Sequence, residues 1–168
     1  MSELKMNSEM DRKILFNETG DTDLASRKMI GGNTTNINDF NNVKYQWTND
    51  WYRQAMNNFW IPEEINMSTD VQQYRELLPA ERQGYDKVLS FLIFLDSIQT
   101  NNVPFIAQYI TASEVVLCLT IQAYQEAIHS QAYSYMLDTI CSPDERNDIL
   151  YQWRDDEHLL RRNRFIGD

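Results

Sequence analysis

The residues with the clearest chemical potential lie in Gln122-Ala-Tyr-Gln-Glu126-Ala-Ile-His129-Ser-Gln-Ala-Tyr133. Read as a helix, this stretch sets Gln122, Glu126, His129 and Tyr133 on one stripe, at alternating steps of four and three. Val115 and Leu119 begin the stripe and Met136 extends it, so it should face inward. An acid, an imidazole, an amide and a phenol on an inward face are costly unless paired or bound to a metal. Glu126-x-x-His129 lets both side chains converge on one ion from one helix. Asp96, four residues after Leu92 on the inner side of the preceding predicted helix, is the natural third ligand. Carboxylates with one imidazole suit iron or manganese better than a thiolate-preferring metal. The competing readings are plain ones: a solvated Glu–His surface pair, a core tyrosine, and an Asp96 that accepts hydrogen bonds from the following loop.

These groups need long helices to hold them. One predicted helix runs from about Ala80 to Gln99 with Tyr85, Val88, Leu89, Leu92 and Leu95 inward, and Asn101 to Pro104 reads as a break. The next opens near Thr111 or Ser113, either of which could cap it, and runs to about Ile140. A first helix starts near Tyr45 and stops before Pro62, with Trp60-Ile-Pro-Glu-Glu64 as a connector. Asp70 to Pro79 reads as a polar loop. Ser142-Pro143-Asp144-Glu145 restarts a last helix through Arg164. Residues 1–40 are polar and turn-rich, broken at Gly31-Gly32, and read as an extended arm; 41–168 form the helical body. No strand alternation or repeat competes, so the class is all-α.

The totals narrow the function classes. A chain of 168 residues with 42% hydrophobic content can bury a core. A formal charge of −10 opposes binding to nucleic-acid phosphates. Cys118 and Cys141 form no CxxC, which fits reduced thiols in a cytoplasmic protein. The most apolar run, Val88 to Leu95, is too short to span a membrane. Cys118, Cys141 and most tryptophans read as core or interface residues, and His158 as a solvated member of a charge run.

Three segments together resemble one family: Phe59-Trp60-Ile-Pro-Glu-Glu64, Phe94-Leu-Asp96-Ser-Ile-Gln99, and Gln125-Glu126-Ala-Ile-His129-Ser-Gln-Ala-Tyr133-Ser-Tyr. In order and spacing they resemble the small, radical-generating β subunit of class I ribonucleotide reductase, over roughly residues 28–168. The resemblance implies a ferritin-like helical bundle, a homodimer when complete, working with a large α subunit. It implies Asp96, Glu126 and His129 as metal ligands of a dinuclear iron centre, with manganese as the alternative. It implies Tyr133 as the tyrosine oxidised to a radical and Trp60 as the head of the electron path to the α subunit. The implied reaction reduces ribonucleotides to deoxyribonucleotides with electrons from a thioredoxin-type dithiol. Tyr133 also sets the chain apart from the branch that has phenylalanine there.

The chain departs from the family in one respect. The second ligand set, two glutamates and another Glu-x-x-His, has no match, since Asp155-Asp156-Glu157-His158 has the wrong spacing. The family's C-terminal tail has no match either. The expectation is therefore an N-terminal half that needs a complementary C-terminal half and is inactive alone. Rival readings are another di-metal oxidase, or a metal-binding or structural helical module.

Overall fold

A computed structural model describes residues 12–167, so residues 1–11 of the expected arm lie outside the described residues. The elements are α1 (Trp47–Asn57), a 3-10 turn (Pro62–Glu64), α2 (Asp70–Glu76), α3 (Pro79–Ala107) and α4 (Ser113–Ile140). After these come α5 (Pro143–Tyr151), a second 3-10 turn (Gln152–Arg154) and α6 (Glu157–Gly167). Extended pairing among the described residues is limited to two isolated bridges, Asp21 with Thr34 and Ile30 with Ile110. Among the described residues no helix is long and apolar enough to cross a membrane. The chain divides into two compact units, Met1–Asn57 with Val103–Gln122 and Asn58–Asn102 with Ala123–Asp168.

In the first unit, residues 12–46 carry no helix and are fastened to the start of α4. Glu114, 5% exposed, is the fastener. Its Oε1 accepts from the Lys44 and Tyr45 backbone N–H groups at 3.0 and 3.3 Å, and its Oε2 pairs with Arg27 at 3.0 Å. A carboxylate in the first turn is also favoured by the helix dipole. Thr111 and Ser113, expected as caps, turn their hydroxyls to the arm instead, donating to the carbonyls of Lys28 and Ile37. Gly32 must be small here, because a Cβ would come within 2.9 Å of the Thr111 hydroxyl. Ile110, Ala112 and Val115 form the core beneath, packed by Met29, Tyr45, Val116 and Leu119.

The second unit is built on two apolar clusters. Met67, Tyr74 and Ile140 form one; Leu89, Leu137 and Ile149 form the other, with Leu137 fully buried. Asp70 to Pro79, expected as a polar loop, contains helix α2, whose seven residues bury only Tyr74. One buried side chain in a polar segment leaves little periodicity to read. The expected break at Asn101 to Pro104 is absent, since α3 runs through Pro104 to Ala107. Proline there costs the Thr100 carbonyl its helical donor and about 3 kcal/mol. Continuation keeps Val103 at 5% exposure.

The single last helix expected after Ser142 is two helices. Ser142 and Glu145 form a capping box that starts α5. Asp156 then caps a new start, accepting from the backbone N–H groups of His158 and Leu159 at 3.0 and 3.1 Å. Lys87 donates to the same carboxylate at 2.7 Å. The Lys87 hydrogen bond first, then the Leu159 amide, hold the Asp156 carboxyl down at about 2. His158 is exposed, as its charged surroundings suggest.

Candidate metal centre

The second unit brings the expected ligands together. Asp96 projects from the middle of α3, and Glu126 and His129 project from α4. His129 Nδ1 lies 3.2 Å from Glu126 Oε2 and 3.7 Å from Asp96 Oδ2. One donor atom from each of the three falls within 4.8 Å of the others, a separation that one ion between them can bridge. The imidazole thus offers Nδ1 to the same point at which both carboxylates aim. Asp96 and Glu126 sit in helix interiors, where backbone N–H groups are already used by the ladder. Two acids held this close without amide donors favour a cation between them.

The donor set fits a first-row transition ion: two oxygens and one imidazole nitrogen, with no thiolate among them. Cys118 is buried in the first unit beside the Thr48 carbonyl, at 3.5 Å. Cys141 packs among apolar side chains of the second.

Tyr133 lies one turn beyond His129. It packs on the cluster of Leu89, Leu137 and Ile149 and hydrogen-bonds to Asp96. Its pKa is pushed up to about 12, by burial first, then by the Asp96 hydrogen bond and the charges of Asp96 and Glu126. The phenol is therefore firmly neutral, with a carboxylate ready to take its proton. The Trp60 ring stands 6.1 Å from the His129 ring at 31°. Its connector is stiffened by extended Ile61 and by Pro62 at the first position of the 3-10 turn.

The structure changes one aspect of the sequence picture. The stripe is half-buried rather than enclosed: the side chains of Asp96, Glu126 and His129 are 18, 15 and 42% exposed. Gln122, which opens the stretch, falls in the first unit. Glu114 was legible only as a first-turn acid. Its buried role depends on Arg27, Lys44 and Tyr45, too distant in sequence for any local pattern to signal.

Residues 37–168 match the family described as ribonucleotide reductase, small chain. The chain belongs to that family. It is 74% identical to the ribonucleoside-diphosphate reductase subunit beta of Treponema pallidum over 95% of this chain and 45% of that protein. With the corresponding subunit of Aquifex aeolicus it shares 42% identity over 96% of this chain and 23% of that one. The ribonucleotide reductase R2 subunit from Clostridium botulinum superposes with a TM-score of 0.90 at 52% identity, covering 94% of this chain and 49% of that structure. The fold is thus the all-helical, ferritin-like one of this family. The chain spans about half the length, or less, of these relatives.

Proposed function

We propose that this chain supplies half of the radical-generating centre of a class I ribonucleotide reductase small subunit. One observation carries the proposal: Asp96, Glu126 and His129 converge on a single point, and Tyr133 hydrogen-bonds to one of them. Asp96, Glu126 and His129 would hold one ion of a dinuclear iron centre, with dinuclear manganese as the alternative for the same donors. When bound, the metal pair supplies the electrons that reduce oxygen and the oxidising power that meets Tyr133.

The chain's own residues then define what that power does. Tyr133 gives up an electron while its proton passes along the hydrogen bond to Asp96, so no charged phenol has to form in a half-buried site. With Nδ1 turned to the point where Asp96 and Glu126 converge, the His129 ring stands beside Trp60. Trp60, its ring centroid 6.1 Å from that of the imidazole, is the exit for the oxidising equivalent toward a large α subunit. There it would drive reduction of ribonucleotides to deoxyribonucleotides, with electrons from a thioredoxin-type dithiol. A cytoplasmic protein fits this chemistry.

Three ligands are too few for two ions. The remaining carboxylates and imidazole would come from a complementary C-terminal half of the subunit, and the complete subunit would be a homodimer. Residues 1–168 alone should bind metal weakly and give no stable tyrosyl radical. The test is to assemble the complete subunit with ferrous iron, oxygen and the α subunit and to measure deoxyribonucleotide formation. Wild type should be active, and Tyr133→Phe should lose activity with near-normal metal content. A silent Tyr133→Phe would indicate a storage or structural module. Oxidation of another substrate without an α subunit would indicate a different oxidase.

A further inference from the structure

Helix α2, which forms where a polar loop was expected, also walls a cavity that the metal centre does not use. The cavity, about 180 Å³ in the second unit, is lined by Asp70, Gln73 and Tyr74 of α2 and by Leu77 just after it. Tyr85 of α3 and Ile140 of α4 complete the lining. Two phenol rings set its walls, the centroids of Tyr74 and Tyr85 standing 5.6 Å apart at 60°. Tyr74 and Ile140 belong to a core cluster on which Leu77 packs, so this part of the lining is in place before anything enters. Tyr85 is 37% exposed, which leaves the space in reach of solvent.

Its one charged group is uncommitted. Asp70 is partly buried, yet none of the ion pairs among the described residues includes it. The guanidinium of Arg82, which lies 4.5 Å over the Tyr74 ring, is paired with Glu145 instead. The Tyr85 phenol feels the Asp70 charge: burial first, then that carboxylate, raise its pKa. A carboxylate without a counter-charge beside aromatic faces suits a cation with an apolar body. The same charge repels phosphates and carboxylates, and a neutral ligand would leave it uncompensated. The volume is below the roughly 300 Å³ of pockets for drug-sized molecules, so it takes one ring with a short chain.

We propose that this cavity binds a small organic cation, a primary ammonium on a short apolar or aromatic stem. The ammonium donates to the Asp70 carboxylate and rests against the Tyr85 ring, with the Gln73 side-chain carbonyl able to accept a further N–H. The stem fills the space between Tyr74, Leu77 and Ile140. The site is independent of the metal-centre reading: a subunit that holds no iron can still take up the amine.

The experiment titrates 2-phenylethylamine, a cation at neutral pH, into the complete small subunit, with 2-phenylethanol as its neutral match in shape. Calorimetry and ligand-observed NMR read the binding. The amine should bind with a dissociation constant of about 1 mM, and the alcohol about tenfold more weakly. Asp70→Asn should weaken the amine about tenfold and erase the preference, with metal content unchanged. Added salt should weaken the amine and leave the alcohol as it was. Tyr85→Leu, which removes the aromatic wall and keeps apolar bulk, should also weaken the amine, and decides the matter if Asp70→Asn fails to fold. Equal binding of amine and alcohol, an amine affinity that survives both substitutions, or no saturable binding of either probe would overturn the proposal.

Discussion

Glu114 and Glu126 are both acids of α4, and their settings are opposite. Glu114 is saturated: two backbone amides and a guanidinium surround a carboxylate that is almost fully buried. Glu126 has a half-exposed imidazole at 3.2 Å and another carboxylate converging on the same point. The first arrangement spends its charge on holding residues 27–45 against the helix. The second leaves charge uncompensated until a cation arrives, as sites do when function is favoured over stability. Paired and unpaired carboxylates on one helix thus separate a structural role from a chemical one.

The comparison can be broken most sharply at the open site. Glu126→Ala or Asp96→Ala should abolish metal binding by the assembled subunit, measured as bound iron per chain. Glu126→Ala should not lower thermal stability of the metal-free chain, because it relieves a like-charge contact with Asp96, whereas Asp96→Ala also takes the acceptor from Tyr133. Next in size, Glu114→Ala should destabilise the fold by about 3 kcal/mol, because Arg27 and two amides lose their acceptor. Denaturant unfolding would show it, and metal content should be unaffected. If Glu114→Ala removed metal and left stability intact, the division of roles would be reversed.

Smaller effects sharpen the same picture. Ser142→Ala, which removes the α5 cap, should cost about 1 kcal/mol without touching the centre. The Tyr133 phenol gives a pH signature. Its folded pKa, pushed up to about 12, lies above the ordinary phenol value of 10.0, so its contribution to stability is complete below pH 10.0. That contribution is lost as pH rises from there through about 12. Tyr133→Phe should make unfolding less sensitive to pH across that alkaline window, while Tyr74 and Tyr85, also raised by burial, retain the remainder.

Much of the centre was legible because its signals are local. Glu126, His129 and Tyr133 lie within two helical turns, and Asp96 interrupts an apolar face four residues after Leu92. What escaped depends on distant partners or on packing that overrides propensity. Helix α3 passes through Pro104 because burial of Val103 outweighs a missing hydrogen bond. Helix α2 forms around Tyr74 alone. The interruption before α6 was encoded in Asp155-Asp156-Glu157, an acidic run of the kind that starts helices, but it read as a solvated stretch. The half-exposure of His129 could not be seen either, since periodicity tells which residues share a face and not what covers it.

The central claim is that Asp96, Glu126 and His129 share one metal ion. The direct measurement is anomalous diffraction at the iron edge from crystals of the assembled subunit loaded with ferrous iron. The account predicts a peak bonded to His129 Nδ1 and to an oxygen of each of Asp96 and Glu126, lost in His129→Ala. Iron bound elsewhere, with these three side chains outside its coordination sphere, would contradict it.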